Sequence, residues 1–229
     1  MGRQIKGLLY FYITDARHSF FVFWFILVST LAATILIGSF LKDFEMAFSL
    51  PVAIYIYGGI FGFVSVKESV PFSIKMGATR KNIFVSLGIF FLLLAFVKSV
   101  LASTLYLVVM EITKKTGMTF LLIHPAQLIS DTWLNRVFVD TIVLFLLLSL
   151  MYLLGLLVYK YGLLGGGSMV GAFVIVFLLG MGQGWLIDFI VETYHSMDYR
   201  FLFRVLLIGI IIYGLTWTML RHISTVKAR

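Results

Sequence analysis

The stretch Ile83–Met110, "IFVSLGIFFLLLAFVKSVLASTLYLVVM", decides the fold. It holds one charged side chain, Lys98, and no proline. A helix needs about 20 apolar residues to cross the hydrocarbon core of a bilayer. This run exceeds that length without a break. Its apolar residues do not alternate with polar ones, so it reads as a helix and not as a barrel strand.

Five more runs of the same kind lie on either side: Phe20–Phe40, Phe48–Val66, Val137–Tyr159, Gly167–Met181 with glycine-rich flanks, and Phe203–Leu220. Composition agrees with them. The chain is 61% hydrophobic and 12% charged, where soluble domains carry roughly 25% charged residues. The fold class expected is an all-α integral membrane protein with six transmembrane helices. There are no cysteines, so neither disulfides nor a thiolate metal site is available.

The cations set an orientation. With six spans and the amino terminus inside, the inner segments hold Arg3, Lys6, Arg17, Lys67, Lys75, Arg80, Lys81, Lys160, Arg221, Lys227 and Arg229 against only Asp15 and Glu68. The outer segments hold the remaining acids. Positive loops stay cytoplasmic, so both termini are expected in the cytoplasm. The net charge of +8 is then a topology signal, and nucleic acid is not expected as a partner.

Residues 1–18 precede the first span. Ile5, Leu8, Leu9, Tyr12 and Ala16 share one helical face, and Arg3, Lys6, Thr14 and Arg17 share the other. This pattern suits an interfacial helix in the inner headgroup plane; a basic flank that only sets topology is the plainer reading. The apolar run after it is too long for a signal-peptide core and reads as a retained span. Residues 183–202 carry Asp188, Glu192, His195 and Asp198 at helical spacing, with Trp185, Leu186, Phe189 and Ile190 largely away from them. They read as an outer amphipathic or re-entrant helix whose acid–histidine row is a solvated face, with a ligand site as the sharper alternative. The segment "MTFLLIHPAQLI" reads as a small cap on the membrane.

Gly58 and Gly62, and again Gly167 and Gly171, are spaced four apart, which lets helix backbones approach closely in lipid. The triplet Gly165–Gly167 marks a flexible or broken helix start; no Lys-Ser/Thr follows to make it a phosphate loop. Lys98 is a cation deep in a span, costing on the order of 3 kcal/mol. It is expected to face a polar cavity, a partner subunit or the hydroxyls of Ser99 and Ser103. Two readings stand: a positive group on a substrate pathway, and a structural lysine. No nucleotide-binding loop, metalloprotease motif or nucleophile elbow is present, and nothing suggests catalysis or a metal site.

The longest polar break in the first half is "KESVPFSIKMGATRKN", residues 67–82. Ser69 is placed to cap a helix, Pro71 suits its first turn, Phe72 and Met76 share a face, and Gly77 permits a turn. That predicts a short cytoplasmic helix with two apolar knobs and a basic hinge. The string "PFSIKMGATRKNIFVS", after the second of six spans, resembles the matching segment of small bacterial ATP-binding-cassette permeases of the ABC-2 type. The resemblance covers the architecture as well, with residues 1–229 as one permease domain.

That resemblance implies a permease subunit of an exporter in the bacterial cytoplasmic membrane. It implies a homo- or heterodimer of permeases in contact with lipid, and two separate ATPase subunits that carry ATP and Mg. Pro71, Phe72, Ser73, Ile74, Lys75, Met76, Gly77, Ala78, Thr79 and Arg80 would form the coupling contact. The cargo would be amphipathic: a peptide, an antibiotic or a lipid-like molecule. The alternative is a membrane scaffold or sensor subunit that transports nothing and docks a cytoplasmic regulatory protein.

Overall fold

The computed structural model describes residues 2–40, 45–116 and 119–223. Six helical segments are long and apolar enough to cross a membrane. They are α1 (Gly2–Phe40), α2 (Leu50–Lys75), α3 (Arg80–Thr116), the two limbs of α4 (Trp133–Gly182) and α6 (Tyr199–Leu220). A shorter helix, α5 (Trp185–Ser196), joins α4 to α6. Strands β1 (Glu45–Phe48) and β2 (Thr119–Leu122) form a parallel pair with Phe48 opposite Leu122. This short pair is the one addition, among the described residues, to the helical fold expected. Both segments are too short for a stable helix, and each satisfies the other's backbone groups.

The first helices align closely. Gln4 donates to the Gly77 carbonyl, and Asn82 donates to Gln4. Tyr12 bonds Ser73 at 2.9 Å. Leu31 packs with Leu50, Tyr106 and Val109. So α1 and α3 run the same way and α2 runs against them. The start of α1, the α2–α3 turn and the carboxyl end of α6 share one end of the bundle, where Arg80 donates to the Leu220 carbonyl at 3.3 Å. The strand pair, the turn Pro125–Leu128 and the start of α6 share the other, the cap end.

Residues 1–18 do not form a separate helix. Residues 2–18 are the first part of α1, which runs unbroken for 39 residues, or about 58 Å at 1.5 Å per residue. The stripe Leu8, Tyr12 and Ala16 is buried in the core with Val70 and Ile83. It finds α2 and α3 where lipid was expected.

Nor do residues 67–82 form a helix of their own. α2 continues to Lys75 with Pro71 inside it. Ser69 is no cap; its carbonyl accepts from the buried Ser73 hydroxyl at 2.7 Å. α2 ends on Gly77 at φ 75°, with Gly77 N–H bonding Ile74 O and Ala78 N–H bonding Ser73 O. This is a Schellman ending, which needs a left-handed residue. Pro71 costs α2 one backbone bond, yet the packed faces on both sides of it keep the helix whole.

α4 breaks at Gly162, where φ is 73° and ψ −174°. Its limbs are Trp133–Gly162 and Leu164–Gly182. A Cβ on Gly166 would lie 2.1 Å from a Val158 methyl, so the chain folds sharply back here. The first limb packs closely on α2. A Cβ on Gly62 would lie 2.6 Å from the Leu148 carbonyl oxygen, and one on Gly155 2.9 Å from the Phe63 oxygen. Gly58 and Gly62 are therefore a packing face within the chain. Gly167 and Gly171 are not: a Cβ there would meet nothing.

Candidate functional site

Three arrangements gather the chemically distinctive side chains. The first is the end of α2. Phe72 is 44% and Met76 64% exposed, and Lys75 and Thr79 are exposed with them. Ser73, on the opposite face, is buried against Tyr12. Pro71, Ile74, Ala78 and Arg80 are half-buried. The Phe72 ring stacks on Phe11 of α1 with centroids 4.3 Å apart. The ten residues thus form a fixed turn tied to α1 by Gln4, Phe11 and Tyr12 and to α6 by Arg80. A cation at a helix carboxyl end is favourable, which suits Arg80 at Leu220.

The second arrangement surrounds Lys98. The side chain is 1% exposed. Its Nζ lies 3.4 Å from the centroid of Tyr57, 4.1 Å from Phe23, 5.1 Å from Phe20 and 5.9 Å from Trp24. Among the described residues it bonds no acceptor. The sequence expectation was a polar cavity, a partner or the neighbouring hydroxyls. The Ser99 hydroxyl instead donates to the Ala95 carbonyl at 2.8 Å, and the Ser103 hydroxyl bonds nothing. Desolvated cation–π contacts contribute about 2 kcal/mol each at best, so two close rings offset a burial cost of about 3 kcal/mol. The aromatic partners come from Phe20, Phe23 and Trp24 on α1 and Tyr57 on α2. Their spacing gave no sign of this, because rings are common in every span.

Tyr57 also lines a cleft of about 110 Å³ between α1 and α2, with Asp15, Ser19, Ser65 and Glu68 among its walls. Its hydroxyl bonds the Ser19 hydroxyl at 2.9 Å. Asp15 and Glu68, the two acids of the inner segments, therefore meet in one cleft. The volume is a few water molecules' worth, too small for an amphipathic cargo.

At the cap end lies a cluster that sequence reasoning missed. Asp140 of α4 is fully buried. It accepts from the Tyr55 hydroxyl at 2.6 Å and contacts His124 Nε2 at 3.3 Å. The other ring nitrogen, Nδ1, accepts the Ala126 amide at 3.0 Å, so Nε2 carries the ring proton and donates to Asp140. His124 caps the turn Pro125–Leu128, and Gln127 answers at the His124 amide. Arg136 lies over the Tyr106 ring at 3.7 Å and donates to Asp131 at 2.6 Å. Asp140 inside an apolar run and His124 before a proline were the visible signals. Tyr55, 85 residues away from Asp140, was not.

The expected acid–histidine row does not hold as one unit. Asp188 and Glu192 are exposed on α5, while Asp198 lies beyond that helix and caps α6 by accepting from the Phe201 amide at 2.7 Å. The His195 side chain lies outside the described residues.

Comparison of the chain with known protein families, with curated proteins and with solved structures finds no match.

Proposed function

We propose that this chain is the transmembrane permease subunit of an ATP-driven exporter. It works as a dimer in a bacterial cytoplasmic membrane, with both termini and the α2–α3 turn in the cytoplasm. Two separate ATPase subunits bind ATP and Mg, and each docks on residues 71–80. The chain performs no catalysis. The observation that carries this reading is the pair of exposed apolar knobs, Phe72 and Met76, on a turn held from behind by Phe11 and Gln4. A turn that only set topology would need its cations and not a braced apolar face. Exposed aromatic and methionine side chains on a rigid element suit a partner's groove.

The pathway lies between two copies of the chain, where an amphipathic cargo has room that the 110 Å³ cleft does not offer. Gly167 and Gly171, open to their surroundings, suit a subunit contact. Lys98 belongs to the wall of this pathway once α1 moves aside. The closed cage favours a second reading as well, a scaffold subunit that docks a cytoplasmic protein and moves nothing.

The test is co-purification with the ATPase encoded beside it. Met76→Asp, at a site that is open in the single chain, should abolish the complex while the permease still inserts and keeps its melting temperature. Retained binding and normal export by this variant overturn the coupling assignment. A stable complex that never exports any amphiphile favours the scaffold.

A further inference from the structure

The cap-end histidine has a property that follows from its hydrogen bonds: its ring has no free nitrogen for one more proton. His124 donates through Nε2 to Asp140 and accepts through Nδ1 from the Ala126 amide. The two Asp140 oxygens are taken by Tyr55 and His124. A second proton on the ring must sit on Nδ1, facing the Ala126 N–H donor to donor. The Nε2 bond gains strength at the same time, because it then joins an imidazolium to a carboxylate. The ring therefore stays with Asp140, and the contact that yields is the one to Ala126.

We propose that His124 is an acid-operated latch, whose second proton breaks the Ala126 bond and loosens the turn Pro125–Leu128 from the junction of α4 with α6. Among the described residues, these groups face the ring. From α2 there is Tyr55, reached through Asp140. From α3 there is Tyr106, edge-on at 5.9 Å. From α4 there are Asp140 and, one turn earlier, Arg136, whose charge is shared with Asp131. From the turn itself there is Gln127, which donates to Tyr106 and to the Leu122 carbonyl. Imidazole is the side chain that ordinarily gains charge in mild acid.

Its consequence is mechanical. Ala126 is fully buried among Val139, Ile142 and Leu202, so the turn seals the junction of α4 with α6. Losing the histidine cap loosens that seal, together with the Gln127 bonds that tie the turn to the end of β2. The latch does not depend on an ATPase. Only the side that must be acidified, the cell exterior, rests on the orientation proposed above.

Detergent-solubilised full-length chain tests it without regard to orientation. Hydrogen exchange at the Ala126 amide, corrected for its intrinsic rate, should lose roughly tenfold in protection between about pH 7.5 and 5.5. In the cysteine-free chain, the thiol of Ala126→Cys should become more reactive over the same interval, relative to the exposed Leu134→Cys. His124→Asn keeps a neutral acceptor for the turn and should hold both readouts flat. Unchanged amide protection on acidification overturns the latch. So does an equal loss of protection in His124→Asn. If the latch holds in micelles but acid outside sealed cells has no effect on the Ala126→Cys thiol, the orientation is wrong and the latch stands.

Discussion

The ring of Phe11 lies nearly flat on the ring of Phe72, 4.3 Å between centroids and 17° from parallel. One residue belongs to the amino-terminal third of α1 and the other to the last turn of α2. The stack therefore joins a helix that packs little along its membrane run to the turn assigned to partner docking. A push on Phe72 is felt first by α1.

The two rings should be energetically coupled. Phe11→Ala and Phe72→Ala should each lower the melting temperature in detergent, and the double variant should lose less than the sum. The coupling expected for a stacked pair is about 0.5–1.5 kcal/mol. Strict additivity would show that the stack is incidental.

Lys98 and its cage should respond unequally to mutation. Lys98→Met replaces a buried charge by a chain of similar length, and such replacements are often neutral or stabilising by about 1–4 kcal/mol. Tyr57→Leu removes the nearest ring and the Ser19 bond while leaving the ammonium buried. It should destabilise by roughly 2–3 kcal/mol. Thermal unfolding in micelles distinguishes them. Transport separates the two roles of Lys98: a stable Lys98→Met chain with altered export places it on the pathway, whereas normal export leaves it structural.

The glycines should divide by position. Gly62→Ala drives a methyl to within 2.6 Å of the Leu148 carbonyl oxygen and should cost several kcal/mol, on the order of an overpacked core. Gly167→Ala meets nothing and should stabilise the isolated chain by roughly 0.5–1 kcal/mol. Gly167→Leu should leave the monomer's melting unchanged and weaken self-association, read by cross-linking or light scattering. Unaltered assembly would remove Gly167 from the subunit contact.

Among the described residues, Gly162 should resist substitution more than the other positive-φ glycines, Gly77 and Gly184. Its φ of 73° with ψ of −174° falls in a region that is essentially glycine's alone, at about 1–3 kcal/mol for other residues. Gly162→Ala should lower the folded yield, and protease accessibility next to Lys160 should rise. A wild-type yield would mean that the two limbs of α4 tolerate another reversal.

Six helices were legible in the sequence because five runs are long, apolar and bounded by charge, and the remaining one, Gly167–Met181, is apolar between glycine-rich flanks. The turn at Gly77 was legible too, since only a residue free to take positive φ ends a helix that way. What escaped was every decision that depends on a distant partner. The stripe of Leu8, Tyr12 and Ala16 fits a bilayer surface as well as it fits α2 and α3, and only packing chooses. Pro71 reads as a helix start because its cost to a continuing helix is local and visible, whereas the burial that outweighs it is neither. Lys98 asked for a counter-group, and the sequence offered adjacent hydroxyls. The Ser99 hydroxyl is spent on the preceding turn and the Ser103 hydroxyl does not reach the ammonium; the rings that answer come from α1 and α2.

The glycine contacts between α2 and the first limb of α4 have a bearing on motion. With the Gly62 backbone against Leu148, and Gly155 against Phe63 and Val66, these two helices approach backbone to backbone and have little room to slide or repack. They form a stator. Displacement must then be carried by the parts with thin contacts, α1 and the second limb of α4, which lie largely uncovered along their membrane runs. An energy-consuming partner that grips the end of α2 would be holding the fixed half of the machine, and its stroke would be delivered to α1.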